Sequence, residues 1–463
     1  MQTETASTTP TTGPQGAARG WRPRSTFAIG LGSIAVAALG LRLGYVLASG
    51  GEGVSGDGAY YNLAGNVLAD GGGFVNPWTG IATAAHPPAW PVLLGLPSLV
   101  GVDTLLGHQV FACLVGTATV VLVGLAARMI AGSRVGLIAA AIAAAYPNLW
   151  VRERELAAEA LVFPLIAIVL ALAYRYLRAP RRGTLLMLGA ACGVLVLAHA
   201  SLVVVVVLLI PVVTLRGPPG VPATRRLARL LATLGVAGLV LLPWVARNSV
   251  RFERPVLLTT NLGLTLRAAN CPAAYEGERL GSFDLDIVRP VTQVAPGGCV
   301  WDGGPGDESE QDAALRRQGL DYMRGHVERL PAVVAAREGR TWSLFRPFQQ
   351  ATLEREFGNG PLVVYQVAVF AYWALVPLAI VGTVRLRRMS VPLAPLLVFF
   401  VAVVVLVAAT FGAVRYRAPA EVPIVVLAAV GVDDLWARVR RRGSRAPRNA
   451  STTSSASPSV MSV

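Results

Sequence analysis

The chain has 463 residues, of which 54% are hydrophobic and 14% are charged, and its mean hydropathy is +0.56. Soluble domains carry about 25% charged residues, so this composition excludes an ordinary soluble enzyme and predicts a polytopic membrane protein. The net charge of +15 does not indicate a nucleic-acid-binding protein, because the 41 basic residues, all of them arginine, are spread over many short loops.

Much of the chain consists of apolar runs, and we interpret ten of them as transmembrane helices. The polar residues 1–25 are rich in Thr, Gly and Pro and are expected to form a disordered cytoplasmic tail. They are not a cleavable signal peptide, because the run that follows them is long enough to span a bilayer. The sequence therefore predicts an all-α membrane fold with spans at 26–49, 104–128, 135–149, 157–177, 184–199, 200–215, 227–246, 362–384, 391–411 and 418–436.

The distribution of the arginines predicts the orientation of the chain. With the N-terminus inside, the cytoplasmic pieces hold 22 arginines and three acidic residues, whereas the opposite side holds 18 arginines and 23 acidic residues. Short cytoplasmic loops of membrane proteins are enriched in basic residues. Both termini are therefore expected inside, with the basic tail 437–463 disordered against anionic lipid headgroups, and the segments 50–103 and 248–361 are expected outside.

The first external loop contains two predicted interfacial helices. Asp57 is expected to cap the first helix, and glycines 71–73 end it. His86, Pro87 and Pro88 open the second helix. Both helices are too short to span the membrane, so they should lie in its interface with Asp57 and His86 at their mouths. The apolar residues that share one face of the first helix are Tyr60, Leu63, Ala64, Val67 and Leu68.

The second external segment, 248–361, is expected to form a small mixed α/β domain between the membrane domain 26–247 and the final spans in 362–436. Its start, 255–266, is strand-like, 297–307 is a glycine-rich loop, and 312–345 is helical with a break at Pro331. Cys271 and Cys299 lie in its loops, and an oxidising compartment favours a disulfide between them. The alternative is two free thiols.

Three groups of residues resemble motifs of the GT-C glycosyltransferases, which include protein O-mannosyltransferases and the aminoarabinose transferases of lipid A. The first match lies in the first external loop. There, Asp57 matches an acidic residue of the family, Tyr60–Tyr61 matches its aromatic-containing helix, and His86–Pro91 matches its PPL-type motif. The other two matches follow in family order. The second match is Leu242–Asn248 together with Thr259, Thr260, Asn261, Gly263 and Asn270, and it resembles the pattern PW-x-x-RN … STN-x-G … GN. The third match is Val414–Glu421, and it resembles the motif RYR-x-P.

The chain departs from the family pattern at three positions. Gly58 follows Asp57 where many relatives have a second acid, and this weakens the argument for a metal-binding acidic pair. His86 stands where the aminoarabinose branch has lysine, which argues against that sugar donor. Ala158 precedes Glu159 where relatives often have serine.

The resemblance implies an enzyme that takes a sugar from a polyprenyl-phosphate donor and transfers it to an acceptor hydroxyl outside the cell membrane. The acceptor would be a glycan, lipid or protein in the cell envelope. Asp57 is the expected general base, and direct displacement would invert the anomeric carbon. Tyr60, Tyr61, Pro87 and Pro88 would form the substrate loop, and the cofactor stays open, with a divalent cation as one candidate.

The other expected site residues each have a structural alternative. Glu159 lies at membrane depth and is assigned to catalysis, unless it only snorkels toward water. Arg415 and Arg417 are expected to bind the donor phosphate, unless they form salt bridges with Glu421 or external acids. His86 and Arg247 are assigned to the same phosphate site, unless Arg247 only anchors its helix.

Two other classes of function remain open. A transporter or flippase is one, although the polar residues cluster at one surface instead of the membrane midplane. A catalytically inactive partner protein is the other. The spacing of His and Cys residues does not indicate a zinc site, and His108 and His199 are interpreted as polar packing residues and Cys113 and Cys192 as free thiols.

Overall fold

A computed structural model of the protein describes residues 23–49, 53–216, 221–284, 298–300 and 304–443. Most of the described residues are helical. The helices are α1 (Pro23–Ala48), α2 (Gly56–Ala69), α3 (Ala89–Ser98), α4 (Leu105–Ala131), α5 (Ser133–Ala145), α6 (Pro147–Arg154), α7 (Glu159–Arg178), α8 (Arg182–Ala198), α9 (Val203–Leu215), α10 (Ala223–Arg251), α11 (Leu262–Ala269), α12 (Pro272–Tyr275), α13 (Glu308–Gly325), α14 (Leu330–Thr341), α15 (Pro347–Gly358), α16 (Leu362–Arg388), α17 (Ala394–Ala409) and α18 (Ala418–Gly443). Short 3₁₀ turns lie at Ala200–Leu202, Gly277–Arg279 and Val414–Arg417; the last is called the arginine turn below.

Five of the described helices, α1, α4, α7, α10 and α16, are long and apolar enough to cross a membrane. The pair α5 and α6, bent by 47°, adds a sixth if it is counted as one span. Shorter apolar helices of 10–17 residues are α3, α8, α9 with its leading turn, and α17. Every predicted span contains a helix, but length and composition alone support five or six crossings, so ten spans remain a prediction.

Close helix approach and a buried ion pair hold the bundle together. A Cβ atom at Gly382 of α16 would overlap the Leu427 carbonyl of α18, and one at Gly431 would overlap the Leu378 carbonyl. Small residues of this kind allow membrane helices to pack backbone against backbone. Arg42 of α1 donates to Glu153 of α6 over 2.9 Å, and both side chains are buried. This pairing compensates two charges that would be costly alone in the membrane.

The first external loop folds largely as predicted, with one correction at its start. The N-cap of α2 is Ser55, and Asp57 lies in the first turn, so the prediction of Asp57 as the cap is wrong. Tyr60, Tyr61 and Ala64 are buried on one face, and Gly71 follows the helix with a φ of +80°. Helix α3 begins at Ala89 with Pro88 as its N-cap, so the expected second helix is present but starts after His86, Pro87 and Pro88 instead of with them.

The described residues of the second external segment are helical and contain no strand, so the expected mixed α/β domain is not found there. The strand-like interpretation of 255–266 is wrong, because α11 begins at Leu262. The packing of α11 on α13 explains the difference: Gly263 donates its N–H to Asp312 over 2.5 Å, and its Cα lies against the Asp312 backbone. The helical stretch breaks at 326–329, and Pro331 lies in the first turn of α14.

The chain termini also need correction. Helix α1 begins at Pro23, and residues 1–22 lie outside the described residues. Residues 437–443 of the expected tail are helical, because α18 continues to Gly443. Residues 444–463, and residues 297 and 301–303 of the predicted loop, are outside the described part. Cys271 and Cys299 form a disulfide with a Cα–Cα distance of 5.6 Å. Cys113 and Cys192 are free and buried.

Candidate active site

Asp57, Glu159 and Arg415 come from distant parts of the sequence and meet at one end of the bundle. Asp57 lies in the first turn of α2, Glu159 is the first residue of α7, and Arg415 belongs to the arginine turn between α17 and α18. At the other end of the bundle, α4, α7 and α16 carry arginines in their last turns. The end that holds Asp57, called the outer end below, is therefore the one that the positive-inside rule predicts to face outward.

Arg415 bridges the two carboxylates. Its Nη2 donates to Asp57 Oδ2 over 2.9 Å, and its Nε donates to Glu159 Oε1 over 3.0 Å. Glu159 is buried, whereas the Asp57 side chain is 37% exposed. The arrangement therefore presents one accessible carboxylate beside a cation that a second carboxylate holds in place.

His86 lies on the other side of Asp57. Its Nε2 is 3.8 Å from Asp57 Oδ1, and its Nδ1 is 3.1 Å from the Tyr61 hydroxyl. The Tyr60 ring packs against the imidazole with a centroid distance of 4.5 Å. The predicted loop residues thus hold His86 toward Asp57, with Pro87 and Pro88 leading from it into α3.

Burial and nearby charges together determine the pKa values of Asp57 and His86. Burial by itself raises the pKa of Asp57, but Arg415 first and His86 second stabilise the carboxylate, and the net pKa falls below the ordinary 3.8. Burial lowers the pKa of His86 below its ordinary 6.5, although Asp57 acts in the opposite direction. At neutral pH Asp57 is therefore charged and His86 is neutral.

A small, partly open pocket lies beside Arg415. His199, interpreted from the sequence as a packing residue, lines it, and its Nδ1 is 2.8 Å from the Ser201 hydroxyl. The sequence feature that could have indicated this role is the position of His199 between two short apolar runs, where one helix ends and the next begins. The remaining lining combines polar and apolar groups: Glu159, Ser201, Tyr416, Val162, Leu202, Leu406, Ala418 and Pro419.

The chain has no room for a second acid after Asp57. A Cβ atom at Gly58 would overlap the backbone carbonyl of Glu155, because α2 packs directly on the end of α6. Any side chain at position 58 would push α2 away from this contact. The departure from the paired-acid pattern is therefore built into the packing of the loop.

Arg247 lies away from the Asp57–Arg415 pair and holds a neighbouring loop. It donates to the carbonyl oxygens of Thr83 over 2.8 Å and Phe74 over 2.6 Å. Residues Val75 and Ala82 of that loop form an antiparallel bridge, and Glu308 of α13 accepts from the Thr83 hydroxyl over 2.7 Å. This geometry matches the anchoring alternative for Arg247.

Arg417 is enclosed in the protein, with 0% of its side chain exposed. Its Nε donates to Glu421 over 2.8 Å, its Nη1 donates to the Thr341 carbonyl over 2.8 Å, and its guanidinium lies 3.5 Å from the centre of the Tyr372 ring. This geometry matches the salt-bridge alternative, which the contacts of Arg415 with Asp57 and Glu159 also match, but Arg415 in addition lines the pocket. His108, which contacts Ser98 and Asn62, has a packing role as interpreted.

The donor groups fit a resident divalent cation poorly. In the described part of the chain, three potential ligand atoms come within 4.8 Å of one another at Cys271, Asp284 and Cys299. The two sulfurs are joined in the disulfide and are not thiolates. At the candidate site, Arg415 already occupies one oxygen of Asp57 and one of Glu159, so a cation that binds these carboxylates would have to compete with the guanidinium.

Residues 85–246 match a family model described as dolichyl-phosphate-mannose-protein mannosyltransferase. The matched segment includes His86, Glu159 and His199, whereas Asp57 and Arg415 lie outside it. A comparison with curated protein sequences finds no significant match.

Solved structures share the architecture. The chain is similar to the oligosaccharyltransferase AglB from Archaeoglobus fulgidus in complex with an inhibitory peptide and a dolichol-phosphate, with a TM-score of 0.54, 16% identity, and coverage of 94% of this chain and 53% of AglB. The complex of the same oligosaccharyltransferase with Zn and sulfate gives a TM-score of 0.51, 14% identity, and coverage of 89% and 50%. The chain therefore spans about half the length of these structures.

ArnT from Cupriavidus metallidurans, bound to undecaprenyl phosphate, aligns over 92% of this chain and 82% of its own length, with 17% identity and a TM-score of 0.41. The chain therefore shares its fold with about half of the Archaeoglobus fulgidus oligosaccharyltransferase.

Proposed function

We propose that the chain is a membrane glycosyltransferase that moves a sugar from a polyprenyl-phosphate donor to an acceptor hydroxyl on the outer face of the cell membrane. The observation that carries this proposal is the accessible Asp57 carboxylate, held by Arg415 beside an open pocket at the outer end of the bundle. The family match and the dolichol-phosphate bound by the similar oligosaccharyltransferase support the donor class.

The donor phosphate would bind at Arg415. A guanidinium presents paired N–H donors that suit phosphate oxygens, and this one lines the pocket beside Asp57. The apolar walls at Val162, Leu202 and Leu406 give the first part of a polyprenyl chain a surface to lie on. Arg247 and Arg417 are left out of this phosphate site, because their guanidinium groups hold backbone carbonyls and Glu421.

Asp57 would act as the general base. The acceptor oxygen attacks the anomeric carbon, its proton moves to Asp57, and the bond from that carbon to the phosphate oxygen breaks with its electron pair on the phosphate. Arg415 stabilises the charge that develops on this leaving group, so a strong acid is not needed. A single displacement inverts the anomeric carbon.

Glu159 and His86 would orient the two reacting groups. Glu159 fixes the Nε of Arg415, and this leaves the other guanidinium nitrogens for Asp57 and phosphate. We assign the proton of neutral His86 to Nε2, because the Tyr61 hydroxyl, whose pKa burial raises, donates to Nδ1. The Nε2–H then points toward Asp57 and supports its carboxylate.

The rival functions are less well supported. A transporter would place its charged groups near the membrane midplane, whereas Asp57, Glu159 and Arg415 lie at one end of the bundle. An inactive partner would not need an accessible carboxylate and a guanidinium beside a pocket at this end of the bundle.

Lipid analysis of cells tests the proposal and identifies the sugar. A strain that lacks the protein should accumulate a polyprenyl-phosphate sugar, and expression of the wild-type chain should clear it. The Asp57→Asn variant should not clear it, whereas Asp70→Asn, an exposed position at the end of the same helix, should. An unchanged pool of polyprenyl-phosphate sugars in the deletion strain would argue against the proposed donor.

A further inference from the structure

The turn that carries Arg415 is fastened by a carboxylate from the second external segment. Glu354 of α15 is buried, with 4% of its surface exposed. Its Oε1 accepts the backbone N–H of Val414 over 2.8 Å. Val414 is the first residue of the arginine turn and directly precedes Arg415. A buried backbone N–H needs an acceptor, and here a charged side chain supplies it.

Glu354 is itself held on two sides. Its Oε2 accepts from Arg152 of α6 over 3.1 Å, and its Oε1 also accepts from Gln350 over 3.2 Å. Arg152 donates in addition to Glu155 over 2.8 Å, and Glu155 accepts from the Tyr365 hydroxyl over 2.6 Å. Four helices and loops thus converge on one buried network of charged groups.

This network borders both halves of the candidate site. On one side, Glu354 holds Val414, one residue from Arg415. On the other, the backbone carbonyl of Glu155 is the atom against which Gly58 packs, one residue from Asp57. The guanidinium of Arg415 must reach two carboxylates at 2.9 and 3.0 Å, and a displacement of the turn by a fraction of this distance would break both contacts.

We propose that Glu354 is a positioning residue, which couples the external helix α15 to Arg415 through the Val414 N–H. The role of Arg415 in phosphate binding rests on the proposed function, but the coupling between α15 and the arginine turn does not. Loss of Glu354 frees the turn, and Arg415 then spends less time at Asp57 and Glu159. Glu356, exposed and two residues further along α15, provides a matched control.

Thiol labelling measures the order of the turn without an activity assay. The chain's own cysteines are two buried free thiols and one disulfide, so Arg415→Cys introduces a single reactive site. Addition of Glu354→Ala should raise the rate of modification by a water-soluble maleimide about tenfold or more, because the turn loses a hydrogen bond to a charged group. Addition of Glu356→Ala should leave the rate unchanged. Equal rates in all three proteins would overturn the proposal.

A double-mutant cycle separates positioning from general structural damage. Glu354→Met, which has a similar length but no oxygen to accept the Val414 N–H, should lower kcat/KM for transfer about tenfold in the wild-type background. It should cause no further loss in the Arg415→Lys background, because its effect passes through Arg415. The same fold-loss in both backgrounds would show a merely structural role and contradict positioning.

The two proposals fail in different ways. If the wild-type chain consumes no polyprenyl-phosphate sugar, the proposed function fails, while the labelling experiment still decides whether Glu354 orders the turn. A loss of folding in Glu354→Ala would be recognised by aggregation in detergent. Glu354→Met with Arg415→Cys would then replace it in the labelling series, because methionine fills similar space without an oxygen that accepts the Val414 N–H. A rise in rate would support the coupling, and an unchanged rate would contradict it.

Discussion

The charge on Arg415 determines what Asp57 can do. In the structure the guanidinium contacts Asp57 and Glu159 together, so it stabilises the charged form of the accessible carboxylate. A carboxylate with a lowered pKa stays ionised in neutral and mildly acidic solution, as a proton acceptor must. Binding of a donor phosphate would share the same guanidinium and make Asp57 a stronger base.

The pH dependence of transfer should report this charge. Asp57 has a pKa below 3.8, so protonation of Asp57 should not reduce kcat/KM until the pH falls below that value. The same depressed pKa means that its contribution to stability is present above 3.8 and is lost as the pH falls through the lowered value. In Arg415→Ala the burial of Asp57 is no longer offset, and the acidic limb of the residual kcat/KM profile should move to higher pH. An acidic limb at the same pH in both proteins would contradict this assignment.

Arg415 and Arg417 are two residues apart, but their substitutions should have different effects. Arg415→Ala should weaken binding of polyprenyl phosphate, because its side chain faces the pocket, and it should also lower thermal stability, because it leaves the buried Glu159 carboxylate without its partner. Arg417→Ala should destabilise the protein by about 3–5 kcal/mol, because it leaves Glu421 buried without its partner. Binding titrations and thermal unfolding of both variants test this difference. Weak donor binding in a stable Arg417→Ala protein would return Arg417 to the phosphate site.

At the scale of the elements, α2 is positioned by its contact with the end of α6. Gly58 lies against the Glu155 carbonyl, and Trp90 of α3 donates to the Leu156 carbonyl over 2.7 Å. The two interfacial helices therefore rest on one turn of backbone between α6 and α7. This contact sets the distance of Asp57 from Glu159 and Arg415.

Substitution of Gly58 tests the contact. Gly58→Ala should destabilise the protein by about 1–3 kcal/mol and reduce transfer, because the added Cβ displaces α2. Gly58→Asp, which recreates the paired-acid pattern of relatives, should be at least as damaging. Gly40→Ala in α1, where an added Cβ meets open space, is the matched helical control and should be tolerated. A fully active Gly58→Asp protein would show that α2 does not need this approach.

Local patterns predicted elements well where the signal lies within the element. The apolar runs predict the helices of the bundle. Glycines 71–73 predict the end of α2, and the proline-containing segment before Ala89 predicts a helix close to the start of α3. The run 255–266 was misread as strand because its apolar residues fit either period, and the docking of Gly263 on Asp312 selects a helix for its last residues. Ser55 is the N-cap in place of Asp57, because the helix starts at Gly56, two residues earlier than a cap at Asp57 predicts.

Contacts between residues that are far apart in the sequence do not follow from local sequence patterns. Asp57 and Arg415 are separated by 358 positions, and no periodicity links them. The predicted orientation placed both at the outer end, but it did not indicate that Arg415 rather than Arg417 reaches Asp57. The sequence likewise does not indicate that His199 lines the pocket, because its position depends on how the turn before α9 meets the arginine turn.

The orientation of the whole molecule is open to a direct test. A reporter fused after Gly306, which precedes α13, should be active as an extracytoplasmic phosphatase and inactive as a cytoplasmic fluorescent protein. A fusion after Arg388, at the end of α16, should show the reverse, because that end is rich in arginine. Cytoplasmic activity after Gly306 would place Asp57 and the pocket beside Arg415 on the wrong face for the proposed reaction.

The most direct test of the central claim is a transfer assay with purified protein in vesicles. The donor is the polyprenyl-phosphate sugar that accumulates in the deletion strain, and release of polyprenyl phosphate is measured. Wild-type protein should consume the donor, and Asp57→Asn should reduce turnover by roughly 10²–10⁴-fold while its unfolding temperature stays unchanged. Asp70→Asn should behave as wild type. Near-wild-type turnover by Asp57→Asn, or no consumption by the wild-type protein, would contradict the account.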